Sequence, residues 1–239
     1  MKSQAAQENA QRGITGLETA IVLIAFVVVS SVFAFTVLTT GIFSSERSKQ
    51  TVFAGLDEVR SSLHPKGSVI AYKGALDGST DTIYKVSFVV SSAVDGDQID
   101  LTPPYDVGSD GDDPDIVSGA RTKTVISYSD SDQFLSDLPW TVSWPGADNG
   151  DNVLDSGEAA EITVWMADRV TGVSSASDAG GIALMDGTAT DGGTGGFADT
   201  STVPGVDETW TIEVKSDRGA TLSIERTLPS ALKAIMDLR

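Results

Sequence analysis

Few residues in this 239-residue chain are arranged for chemistry. It has no cysteine, so thiol catalysis and thiolate metal sites are excluded. Its single histidine, His64, precedes Pro65 beside the predicted end of a helix, a poor place for a nucleophile's base. No nucleophile elbow, phosphate-binding loop or zinc motif is present. One oxygen-rich stretch, 147–158, has the spacing of a hard-cation loop. Asn149, Asp151, Leu154 and Glu158 fall at positions 3, 5, 8 and 12, and Asp148 and Asp155 stand beside them, so Asp148, Asn149, Asp151, Asp155 and Glu158 are candidate Ca²⁺ ligands. Ala147 stands where the first acid belongs and Asn152 where glycine belongs, so an Asx-rich β-turn explains the same residues. Asp110, Asp112, Asp113 and Asp115 read as a solvated loop. The remaining residue of note is Glu18, alone at the entrance to an uncharged segment.

That segment, Thr19 to Ser45, contains no charged residue, and its centre, Ile21 to Leu38, is about as long as the shortest bilayer-spanning helix. A helix is expected from about Thr15 to Leu63, stopped by Pro65 and Gly67. Apolar residues surround its first half, through Phe43, and such a helix must be covered on every side. Ala25, Ser30, Ser31 and Ala34 let helices approach closely. Beyond the charged stretch 45–50, Val52, Phe53, Leu56, Val59 and Leu63 form a one-sided stripe, with Asp57, Glu58 and Arg60 facing outward.

From Gly67 the helical period gives way to alternation. Strands are expected at Ser68–Lys73, Thr82–Ala93, Gln98–Leu101, Thr122–Ser129, Thr141–Trp144, Ala159–Ala167, Gly181–Met185, Thr209–Lys215 and Thr221–Thr227. Asp-Gly turns at 77–78, 95–96, 110–111 and 186–187 separate several of them. The Gly-rich run 191–196 reads as an exposed loop. The fold class is therefore α+β: a long N-terminal hydrophobic α-helix followed by an antiparallel immunoglobulin-like β-sandwich. The formal charge of −18 makes nucleic acid an improbable partner and suits salty surroundings, where self-repulsion is screened.

The N-terminus admits three readings. A Sec-type signal peptide fits poorly, because the apolar run is long and Thr39-Thr40-Gly41 makes a weak cleavage site. A plain membrane anchor carrying a surface binding domain leaves the polar leader, Gly13 and Glu18 unexplained. Arg12-Gly13-Ile14-Thr15-Gly16-Leu17-Glu18, running into the apolar segment, resembles the processing site of type III signal peptides in type IV pilins and archaeal flagellins (archaellins). By that resemblance a leader peptidase cuts after Gly13, with Arg12 just before it. Residues 1–13 are then a removed leader, 14–63 a filament-core helix and 64–239 an outer domain. Gly16 becomes the third mature residue, as in archaellins, and Glu18 the fifth, placed to meet the new ammonium of Ile14 during assembly. Thr124-Val125-Ile126-Ser127-Tyr128-Ser129-Asp130 and the passage from Trp144 to Glu158 also resemble archaellins and favour them over adhesive pilins. The resemblance implies a structural, non-enzymatic subunit of an extracellular swimming filament. Its partners would be copies of itself, the membrane before assembly, and an assembly platform with an ATP-driven motor. None of the three asparagines lies in an Asn-X-Ser/Thr context.

Overall fold

A computed structural model describes residues 2–60, 62–76, 80–93, 98–107, 114–170, 172–185, 195–217 and 219–239; within the first helix, side chains are described from Gly16 to Leu56. The chain forms two compact units, 1–55 and 56–239.

The first unit is one helix, α1, Lys2–Arg60. Every described side chain from Gly16 to Leu56 is exposed, including Ile21, Phe26, Phe33, Phe35 and Phe43. Several hydroxyl groups within the apolar run are satisfied by the helix itself. Ser31 donates to the Val27 carbonyl at 2.7 Å, Thr39 to Phe35 at 2.8 Å and Thr40 to Thr36 at 2.8 Å. These hydroxyls therefore need no water, which suits an apolar environment.

The second unit carries its own core. Its strands are β1 (Leu63–Leu76), β2 (Thr80–Ser92), β3 (Ile99–Asp100), β4 (Tyr105–Val107), β5 (Pro114–Ile116), β6 (Val125–Ser129), β7 (Phe134–Leu135) and β8 (Trp140–Ser143). They continue with β9 (Val153–Leu154), β10 (Ala160–Trp165), β11 (Asp168–Arg169), β12 (Ile182–Ala183), β13 (Thr209–Lys215), β14 (Leu222–Thr227) and β15 (Ile235–Leu238). One sheet runs β15-β1-β2-β10-β8 and the other β14-β13-β6-β7, with antiparallel neighbours throughout. An immunoglobulin domain places its first, second, fifth and fourth strands in one sheet and its third, sixth and seventh in the other. Ignoring the short strands, β1-β2-β10-β8 and β6-β13-β14 occupy those places in that order. β7 widens the second sheet and β15 the first.

Alternating strand residues build one core from both sheets: Val86, Phe88, Ile162 and Val164 from the first, Ile126, Tyr128, Trp210, Ile212 and Val214 from the second. Without a disulfide, aromatic residues supply much of the cohesion. Tyr128 stacks on Trp210 with centroids 6.3 Å apart and meets Phe197 edge-on at 5.8 Å. Lys85 lies across from Tyr72 on β1 and Trp165 on β10, and its ammonium sits 4.4 Å from the Trp165 ring.

The junction differs from expectation. The helix ends at Arg60 and β1 already begins at Leu63, so Leu63 and His64 belong to a strand. Leu63 continues the 3–4 spacing of the helix, but its side chain is buried in the sandwich. Pro65 does not end a helix. It pairs with Val90 at a register shift that includes Gly67, whose φ is +97°, and a bulge of this kind tolerates proline's missing N–H. His64 lies beside Ser91 across the ladder, with Nε2 3.1 Å from the hydroxyl. The side chains of Asp57, Glu58, Val59 and Arg60, the four Asp-Gly turns, and Asp110, Asp112, Asp113 and 191–194 lie outside the described residues. The end of the Gly-rich run is anchored: the Phe197 amide donates to the Met166 carbonyl at 2.8 Å, and its ring is buried.

Burial, then the hydrogen bond and charge of Asp130, then the charge of Glu208 push the Tyr128 phenol well above its ordinary value of 10.0. Its hydroxyl donates to Asp130 at 2.8 Å. The unfolded chain ionises this tyrosine near its ordinary value while the folded chain does not. The stability it contributes is therefore complete below pH 10 and declines above it. Alkaline denaturation followed by circular dichroism should show this decline, and Tyr128→Phe should flatten it between pH 10 and 12.

Candidate functional site

Two regions carry the residues singled out from sequence, and the structure treats them differently. In the acidic loop the polar side chains serve the backbone. Asp148 accepts from the Gly150 amide at 2.8 Å, Asn149 from Asp151 at 3.0 Å and Asp151 from Val153 at 2.8 Å. These are successive Asx turns. Glu158 accepts from the Asp155 amide at 3.0 Å, while Asp155 accepts from Gln98 and Asn149 at 2.8 and 2.9 Å. Among the described residues, no three Asp, Glu or His side chains gather around a common centre suited to a metal ion. The arrangement thus fits a turn that fastens β9, itself paired with β3, better than a Ca²⁺ cage. Millimolar Ca²⁺ or a chelator should leave the thermal midpoint of the outer domain unchanged. Asp155→Ala should lower its stability by about 0.5–1 kcal/mol, because it removes the side-chain hydrogen bonds from Gln98 and Asn149, whose exposed amides water can then meet.

The second region is the N-terminal part of α1. Glu18 is exposed near its start, followed by the charge-free run. Thr19 donates to the Gly16 carbonyl at 3.0 Å, closing the turn around Glu18. Gly16 and Gly41 have nothing within 4 Å of the position a Cβ would take, so the helix surface there is open to a close neighbour. The side chains of Arg12, Gly13 and Ile14 lie outside the described residues, although the backbone from Lys2 onward is helical. Ile14 and Glu18 are four residues apart, one helical turn. From Gly16 to Leu56 the helix is long and apolar enough to cross a membrane, and no part of its most apolar window is buried. A solvated helix of this composition is untenable, since each large apolar side chain gains roughly 1.5–3 kcal/mol on leaving water. It requires lipid or other helices around its whole circumference. The region thus offers an apolar surface suited to lipid or neighbouring helices, and its described residues form no catalytic constellation.

A family model described as archaeal-type flagellin matches residues 13–226. The chain belongs to this family. A probable flagellin 1 of Archaeoglobus fulgidus is 34% identical over 156 residues, covering 65% of this chain and 74% of the relative. A probable flagellin 1 of Aeropyrum pernix is 28% identical over 228 residues, covering 93% of this chain and 94% of the relative. Among solved structures, the archaeal flagellum of Methanospirillum hungatei strain JF1 superposes with a TM-score of 0.52 at 20% identity, over 93% of this chain and 98% of that one, and shares the fold. As an archaeal flagellin the chain is a structural subunit of an extracellular motility filament. The matched region begins at Gly13, the residue at which the leader motif resembles a cleavage site.

Proposed function

We propose that the chain is inserted in the membrane as a precursor, cut after Gly13, and polymerised with copies of itself into an extracellular swimming filament. Residues 1–13 are the leader, the helix from Ile14 to Arg60 is the filament core, and the sandwich from Leu63 is the outer domain. The observation that carries this reading is a helix exposed all round from Ile21 to Phe43, with Arg12-Gly13-Ile14-Thr15-Gly16-Leu17-Glu18 just two residues before it. At 1.5 Å per residue the mature helix is a rod of roughly 70 Å. Lipid covers it before assembly, and neighbouring helices cover it afterwards.

Cleavage changes the electrostatics at the start of the helix. It removes the charged leader and leaves an ammonium on Ile14, positive at neutral pH. Glu18 of the same or an adjacent chain pairs with it, which lessens the cost of a carboxylate at the edge of an apolar layer. The chain performs no catalysis. A leader peptidase processes it, and a membrane platform with an ATP-driven motor assembles and turns the filament.

Peptide mass mapping of protein sheared from cells tests the proposal. A start at Ile14 in a high-molecular-weight filament fraction is expected, with loss of swimming on gene deletion. A start at Met1 in the membrane fraction would overturn it, and unchanged swimming without the gene would remove the motility role.

A further inference from the structure

The polymer must bring together outer domains of one sign, because the chain carries a net charge of −18. Contact between two copies therefore calls for a place where an acidic surface meets a basic one. The sandwich has both, at the free edges of opposite sheets.

At the outer edge of the first sheet, β15 borders a groove of about 340 Å³ lined by Pro229, Lys233, Ile235, Asp237 and Arg239, among others. Ile235 is 62% exposed. Residues 226–239 contain three cations, Arg226, Lys233 and Arg239, against one carboxylate, Asp237. Asp237 pairs with Arg239 at 3.4 Å, and Arg226 donates to the Leu238 carbonyl at 3.0 Å.

At the outer edge of the second sheet, β7 exposes Phe134, 67% accessible. The turn before it is tied to a neighbouring loop. Ser131 donates to Glu208 at 2.9 Å, and Gln133 donates to the Thr202 carbonyl at 2.6 Å. That loop exposes Val206 and Asp207, the latter with φ +59°. Segments 128–137 and 199–208 hold six carboxylates and no Lys or Arg. Asp132 and Asp137 among them are exposed.

Each edge thus presents a large apolar side chain beside charge of opposite net sign: three cations against Asp237 at the first, six carboxylates and no cation at the second. Two different, complementary patches on one chain make a head-to-tail contact, which propagates into an open helix when it does not close into a ring. We infer that the β15 edge of one outer domain, with Lys233, Ile235 and Arg239, receives the Phe134 edge of the next copy. This contact rests on the filament reading above and locates its outer-domain interface. The apolar pair supplies cohesion, while Lys233 and Arg239 facing Asp132 and Asp207 set orientation and suppress the like-charged alternatives.

Because the chain has no cysteine, cross-linking gives a clean test. Filaments of the Phe134→Cys/Ile235→Cys double variant, once oxidised, should run as a covalent ladder under denaturing conditions and collapse to monomer on reduction. Filaments mixed from the two single variants should stop at dimers. Filaments that form yet stay monomeric after oxidation would overturn the contact. Independently, Lys233→Glu should lower the temperature at which filaments dissociate, and adding Asp132→Lys should restore it; dissociation unchanged by either would also overturn it. The unaltered chain assembled in parallel separates the two levels. Intact parent filaments with no ladder remove only this contact, whereas a parent chain that yields no filaments removes the filament reading and the contact with it.

Discussion

Replacing Gly13 with leucine is expected to abolish filaments altogether, leaving full-length precursor in the membrane fraction. The proposed cleavage separates a leader containing Lys2, Glu8 and Arg12 from a helix that is apolar for more than 20 residues. While the leader remains, transferring the helix into a bundle also carries those charges toward an apolar interior. The cost of a charge at the centre of a hydrocarbon layer is about 2.5–3.5 kcal/mol on insertion scales. The uncut chain also lacks the ammonium on Ile14 proposed to pair with Glu18. Immunoblots should show one slower band in membranes and none in the sheared fraction, while Gly13→Ala, which keeps a small residue, should retain partial processing. Normal filaments whose subunits begin at Met1 would sink the cleavage proposal.

The helix was plain in the sequence because a charge-free run longer than any ordinary strand leaves one way to satisfy the backbone in an apolar setting. The main sandwich strands were equally plain, since Trp210, Ile212 and Val214 alternate with polar neighbours and are buried on one face. The helix end was misplaced because Leu63 satisfies both periods, and only the core of the sandwich decides between them. β15 was missed because Met236 and Leu238 supply two buried positions in four residues, too few to establish a period of two. The paired short strands, such as β4 with β5 and β3 with β9, are defined by distant partners and carry no local signal. The acidic loop shows the opposite failure. Asn149, Asp151 and Glu158 have ligand-like spacing, yet spacing alone does not tell whether oxygens converge on a centre or turn back to amides two or three residues away. The proposed processing motif is legible because Arg12, Gly13 and Glu18 form a local pattern beside an apolar run, and a local pattern needs no knowledge of the fold to be read.

Two substitutions in α1 separate insertion from assembly. Val29→Lys should eliminate filaments, whereas Glu18→Ala should reduce their yield and leave those that form intact. Val29 sits at the middle of the apolar run and is exposed on the isolated subunit. In lipid, a lysine there can extend its stem toward the interface, so insertion is penalised by only about 2.5–3.5 kcal/mol. In a bundle of packed helices that escape is closed, and every subunit buries an unpaired ammonium with no carboxylate between Thr19 and Ser45 to meet it. The penalty recurs in each copy, so the polymer is lost before membrane insertion is. Glu18 lies one turn from the proposed mature N-terminus, where loss of its carboxylate removes one proposed pairing and none of the apolar burial. Quantifying sheared filaments against membrane-bound subunit distinguishes the two: Val29→Lys should give inserted, processed subunit with no filament, and Val29→Leu should behave as the parent. Filaments of Val29→Lys at parental yield would mean that this face of the helix stays wet in the polymer, contrary to a core packed around its whole circumference.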